Sequence, residues 1–211
     1  MNYKKILEDI SNRIGGEETC EYKVLVHRTH KRVIAYKHNP LALEFIKPKF
    51  RHSFFKKAMF FLIKHGISPL EKKIQLSSRL GDVIYIANQV KSFDLLNEEV
   101  IVFEKGPSSL EANILLQKKL AEEELAPKIL DVNKESCYYK EELLYDGDIP
   151  FTKILFKLRY FYKLSNFKYI HGDLCLDHIK KNKEGEVRFI DWNIKEGSPK
   201  EELNNFLGSL K

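Results

Sequence analysis

The period of the apolar positions changes along the chain, and each change marks an element. Ile6, Ile10 and Ile14 recur at helical spacing, which predicts a helix over 3–14 that Gly15 and Gly16 end. Two β-rich runs, 22–27 and 32–36, flank the polar stretch 28–31 and predict a hairpin. A helical period returns over 50–65, with Phe50, Phe54, Ala58 and Phe61 or Leu62 on one face and Gly66 as the stop. Short strands then take over. Runs 74–77 and 83–87 flank the turn-like 78–82, and 100–104 forms a third strand ending at Lys105. Gly106 and Pro107 break that strand, and Ser109 stands where it can cap a helix over 110–125. Runs 128–132 and 137–144 predict two more strands, and the polar joint 145–148 precedes a long helix over 151–164. A turn at 183–186, a strand over 187–190 and a short helix over 200–210 complete the chain. A small sheet with one helix, then a polar hinge, then a helix backing a hairpin is a two-lobed α+β layout.

Composition narrows the class. With 43% hydrophobic and 31% charged residues, the 211-residue chain is neither collagenous nor disordered, and it can bury one or two modest cores. Its longest apolar run, 58–63, is far short of a spanning helix. The polar start 1–10 lacks the apolar centre of a secretory leader. Cys20, Cys137 and Cys175 are odd in number and widely spaced, which argues against a disulfide framework. A cytoplasmic protein is expected, with membrane-peripheral placement left open by the charge. That charge is uneven: residues 1–70 hold 14 Lys or Arg against 6 Asp or Glu, a net of +8, and the rest hold 22 against 24, a net of −2.

Candidate chemistry lies in the nearly neutral part. Asp173 follows His171 and Gly172 in a loop after the long helix, and Asp191 ends a strand eighteen residues later. A hairpin between them would bring both carboxylates to one edge. Metal-assisted phosphoryl transfer needs that pair, one acid taking the proton of an attacking hydroxyl and the other holding a divalent ion. His171 is expected to hold the loop through its ring, Cys175 to be a packed thiol, and Asp177 a solvated acid.

His171-Gly172-Asp173-Leu174 with His178, followed by Phe189-Ile190-Asp191-Trp192, resembles the catalytic and metal-binding loops of the protein-kinase-like superfamily, in its small-molecule phosphotransferase branch. The resemblance is greatest to the lipopolysaccharide-core kinases, where histidine replaces the usual metal-binding asparagine. It covers roughly residues 73–194. It implies ATP and Mg²⁺ as cofactors, Asp173 as the catalytic base, and Asp191 and His178 as metal ligands. Lys105 would bind phosphates, Glu111 would hold that lysine, Ser78 and Gly81 would belong to a phosphate-covering turn, and 143–148 would be an adenine-binding hinge. The implied fold is a two-lobed kinase-like α+β fold with a basic N-terminal extension (1–72), an N-lobe (73–148) and a reduced C-lobe (149–211). The implied reaction moves the γ-phosphate of ATP to a hydroxyl of a sugar or glycolipid. A pseudokinase or nucleotide-binding scaffold is the main alternative. An atypical protein kinase is the other, disfavoured because only twenty residues follow Asp191.

The basic first third is open to three readings. Lys47, Lys49, Arg51, Lys56, Lys57 and Lys64 surround an aromatic helix. They could meet an anionic membrane surface or an anionic substrate or nucleic acid. Alternatively, Phe54, Phe55, Phe61 and Leu62 pack on the hairpin with the lysines in solvent. No RNA-binding motif is present, so nucleic acid is not expected, and nothing in the pattern specifies an oligomeric state.

Overall fold

A computed structural model describes residues 2–27, 32–50, 53–68 and 71–209. The elements in chain order are α1 (Tyr3–Ile14), β1 (Thr19–His27), β2 (Arg32–Tyr36), α2 (Pro40–Ile46), a 3₁₀ turn (Lys47–Phe50), α3 (Phe54–Lys64), β3 (Lys72–Ser77), β4 (Val83–Ile86), β5 (Val90–Asp94) and β6 (Glu99–Phe103). They continue with α4 (Pro107–Glu122), β7 (Ile129–Asn133), β8 (Tyr138–Glu142), α5 (Phe151–Leu164), β9 (Tyr169–Ile170), a 3₁₀ turn (Leu176–His178), β10 (Ile179–Lys181), β11 (Val187–Phe189), β12 (Lys195–Glu196) and α6 (Pro199–Ser209). The chain is a mixed α+β protein with a large antiparallel sheet. It divides into two units, one formed by Met1–Ala112 with Leu130–Leu143 and the other by Asn113–Ile129 with Leu144–Lys211.

The first unit is built on an eight-stranded sheet in the order β3-β1-β2-β4-β5-β6-β8-β7. The expected hairpin pairs Lys23 with Tyr36 through His27 with Arg32, and its turn at 28–31 lies outside the described residues. Residues 1–72 thus supply two strands, β1 and β2, that lie between β3 and β4. Alternate side chains leave opposite faces of a strand, and here both faces are covered. Val33, Ala35, Ile84 and Ile86 join Leu7 and Ile10 of α1 in one cluster. Ile34, Tyr36 and Val83 join Ala42, Ile46, Phe50 and Ile63 in another.

Several expectations are corrected here. Strand β5 and helix α2 extend what the periodicity predicts; α2 starts at Pro40, where the Asn39 side chain accepts the Ala42 N–H. Helix α4 begins at Pro107, so Ser109 lies inside it and its hydroxyl donates to the Gly106 carbonyl instead of capping. In α3 the inward face is Ile63 with Met59 and Phe60, and the outward face holds Phe54, Phe55 and Phe61, the reverse of the core-packing reading. The physical cause is the entry to the helix. Phe50 is anchored in the core by the 3₁₀ turn and Ser53 caps α3 by accepting the Lys56 N–H, which fixes the helix phase.

The second unit packs α5 through Ile154, Leu158, Phe161 and Tyr162 against Ile179, Val187 and Phe189 of the β10–β11 hairpin and Phe206 of α6. The Phe189 N–H donates to the Leu125 carbonyl, which ties the hairpin to the segment after α4. Here α5 has the bounds the periodicity predicts.

Candidate active site

The β10–β11 hairpin carries the two expected carboxylates to one place. Ile179 pairs with Phe189, Lys180 with Arg188 and Lys181 with Val187, so Asp191 follows the last paired strand residue closely and Asp173 to His178 lead into the first. Just beyond, Lys195 pairs with Ile170 and Glu196 with Tyr169, which fixes the chain on both sides of the loop.

His171 is buried and uses both ring nitrogens. Its Nε2–H donates to the Ile190 carbonyl at 3.2 Å, and Nδ1 accepts the Asp173 N–H at 3.4 Å. A carbonyl only accepts and an amide N–H only donates, so this pattern requires the neutral ring. Burial pulls the imidazole down to about 4. The indole of Trp192, 4.4 Å away centre to centre, covers the ring. A histidine lowered from its ordinary value of about 6.5 binds more protons unfolded than folded, so its contribution is complete above about pH 6.5 and is lost as pH falls towards 4. Urea unfolding should show about 3 kcal/mol less stability at pH 4 than at pH 7 from this group, with the slope confined to that window. A His171→Asn variant should show a flatter profile.

Gly172 has φ +85°, and a Cβ there would overlap the Asn193 carbonyl oxygen. The Asn193 N–H donates to the His171 carbonyl at 3.0 Å, which fixes this close approach of the two backbone segments. Gly172→Ala should therefore destabilise by at least about 2 kcal/mol, read as a lower urea midpoint, because the left-handed conformation alone costs about 1–2 kcal/mol.

Glu202 of α6 is the main residue that sequence reasoning misses. Its buried carboxylate accepts the Gly172 N–H at 2.7 Å, the His171 N–H at 3.0 Å and the Tyr162 hydroxyl at 2.7 Å. It is a positioning residue for the loop. The available signal was its place four residues before Phe206, on the apolar face of α6.

His178 joins the two acids. Its Nδ1–H donates to the Asp173 carbonyl at 2.6 Å, with the Asp173 carboxylate 3.7 Å from the same nitrogen. In the neutral ring, Nε2 then presents a lone pair, and it faces Asp191 Oδ2 at 3.5 Å. With the ring neutral these two atoms can share a cation, and with the ring protonated the same contact is an ion pair. The imidazole and carboxylate fit a divalent ion such as Mg²⁺ as two ligands of a larger set. Among the described residues no group of three or more His, Cys, Asp and Glu is placed to hold a metal. Asp191 has φ +56°, a left-handed conformation uncommon outside glycine. Asp173 and Asp177 are exposed, and burial pushes the Cys175 thiol up.

No family model matches this chain, and no curated protein matches it.

The residues expected to bind nucleotide lie in the first unit. Lys105 is exposed in the bend after β6, and Glu111 is exposed in the early part of α4. Glu111 Oε1 is 4.0 Å from Lys134 Nζ; the described residues show no pair between it and Lys105. The turn expected to cover phosphates has its amides engaged. The Ser78 N–H donates to the Glu18 carbonyl, Arg79 and Leu80 donate to the hydroxyl and carbonyl of Ser77, and Gly81 donates to the Ser92 hydroxyl. Gly81 is buried, and a Cβ there would overlap the Phe93 backbone. Close packing explains this glycine, and the four amides as placed offer no phosphate cradle. In the expected hinge, the Leu143 N–H donates to the Glu98 carbonyl and Tyr145 exchanges backbone hydrogen bonds with Lys181.

Proposed function

We propose that the protein is an ATP-dependent phosphotransferase with a two-lobed kinase-like fold, acting on a hydroxyl of a sugar or glycolipid. The single observation that carries this reading is the convergence of Asp173 and Asp191 on the two nitrogens of His178. The sheet order β6-β8-β7 with α4 inserted after β6 adds support. Kinase-like proteins follow a strand with a helix at this point; the match is one of element order, since Lys105 lies past the end of β6 and the described residues show no Lys105–Glu111 pair.

Asp173 has the role of base. Its carboxylate is open to an acceptor, and it takes the hydroxyl proton as the hydroxyl oxygen bonds to the γ-phosphorus and the bond to the ADP oxygen breaks. Asp191 and His178 would hold Mg²⁺, which when bound neutralises charge on the phosphates. His171 and Glu202 keep the Asp173 backbone in place, and Lys105 would supply a cation to the phosphates. The decisive experiment is transfer of labelled γ-phosphate from ATP to sugar and glycolipid acceptors, with Asp173→Asn beside wild type. Transfer by the wild type and its loss in the variant would support the assignment; equal transfer in both would sink it. The second reading, a scaffold without transfer, draws on the engaged amides of the 77–82 turn. It predicts no transfer by the wild-type chain to any acceptor.

A further inference from the structure

Helix α3 is apolar on two sides, and only one of them is covered. Ile63 is buried, with Met59 and Phe60 beside it, in the cluster formed with Tyr36, Ile46 and Phe50. At about 100° per residue, Phe54, Phe55, Ala58, Phe61 and Leu62 form a stripe roughly 120° wide on the opposite side. Phe54 is 89% exposed, Phe55 72% and Phe61 60%. Exposed large apolar side chains gathered in one place, unlike scattered ones, mark an interaction surface.

The surroundings say what covers it. Lys57 and Lys64 run along one border of the stripe, and Lys56 lies further round the helix. From Phe45 to Leu70 the chain has six Lys or Arg and no Asp or Glu. A large aromatic face bordered by cations, with no acid near it in the chain, is complementary to an apolar layer beneath an anionic surface. A second copy of the chain is a poor match, because it would bring a like row of lysines on a molecule already at net +6. Spanning is no alternative for this helix: among the described residues no helix is long and apolar enough to cross a membrane.

We propose that α3 is a membrane-surface helix that lays Phe54, Phe55 and Phe61 into the interface of an anionic bilayer while Lys57 and Lys64 meet phosphate head groups. The helix lies in the plane of the surface with its axis parallel to it, and Ile63 keeps it attached to the sheet. This surface stands independently of phosphate transfer, since it is read without nucleotide.

The test is flotation of the full chain with vesicles of phosphatidylcholine alone and of phosphatidylcholine with phosphatidylglycerol. The wild type should float with the anionic vesicles, much less with the neutral ones, and be released by high salt. Joint Lys57→Gln and Lys64→Gln should lower the partition about thirtyfold, at roughly one kcal/mol per cation. Joint Phe54→Ser, Phe55→Ser and Phe61→Ser should lower it by at least about tenfold. These positions are exposed, so circular dichroism and the urea midpoint should match wild type. Failure of the wild type to float with anionic vesicles would overturn the proposal, as would wild-type flotation by the serine variant. A wild-type dimer that the serine variant converts to a monomer would also overturn it, by assigning the face to a second copy.

Discussion

Asp173→Asn should lower phosphate transfer by about 10²–10⁴-fold while leaving the fold as stable as wild type. The size follows from removing a positioned general base. The clean separation from stability follows from how Asp173 is held. Its backbone makes the structural bonds, the carbonyl accepting from His178 Nδ1 and the N–H donating to His171 Nδ1. Its side chain is exposed, and its carboxylate is 3.7 Å from His178, too far for a hydrogen bond. Asparagine has the same shape, keeps both backbone bonds and offers no basic oxygen of comparable strength. The stability change should stay within about 0.5 kcal/mol, as for other exposed positions. Transfer rates at saturating ATP with urea unfolding on the same samples check both halves. Equal rates would remove Asp173 from the role of base, and a fall accompanied by unfolding would turn it into a structural residue.

The site and the sheet differ in how far they could be read from the chain. His171, Asp173, His178 and Asp191 lie within twenty-one consecutive residues, and a hairpin alone is enough to bring them together. Local spacing therefore carried most of that geometry. Strands β1, β2, β4 and β6 were legible because their apolar runs are long enough to show a period. Strand β5 was not, since Val90-Lys91-Ser92-Phe93-Asp94 has two apolar residues and its place is set by pairing with β4 and β6. The phase of α3 was illegible for a different reason. Phenylalanines occur on both of its sides, so periodicity identifies the helix and leaves open which side faces the core. That choice is made by Phe50 and the Ser53 cap. The engaged amides of the 77–82 turn involve Glu18 and Ser92, partners distant in sequence, and no local pattern announces them.

Glu202→Ala should destabilise the protein by about 3–5 kcal/mol, the largest stability effect expected from a residue with no assigned chemical step. The alanine leaves three donors facing a space with no acceptor: the backbone N–H groups of His171 and Gly172 and the hydroxyl of Tyr162. All three surround a buried carboxylate, so water cannot freely replace it. A stranded buried donor costs about 1–3 kcal/mol, and partial relaxation keeps the total near the lower part of the sum. Glutamine should fall between alanine and wild type. Its one oxygen can keep the Gly172 N–H, and the Tyr162 hydroxyl can turn to accept from its amide, but the His171 N–H then meets an N–H and is left unpaired. The order wild type, Gln, Ala in urea midpoint tests this donor accounting, and equal midpoints for all three would discard it. Phosphate transfer adds a reading that stability alone would not give. Glu202 holds the two residues immediately before Asp173, so the glutamine variant, assayed where it remains folded, should lose transfer rate through a displaced base. Wild-type transfer by that folded variant would restrict Glu202 to stability alone.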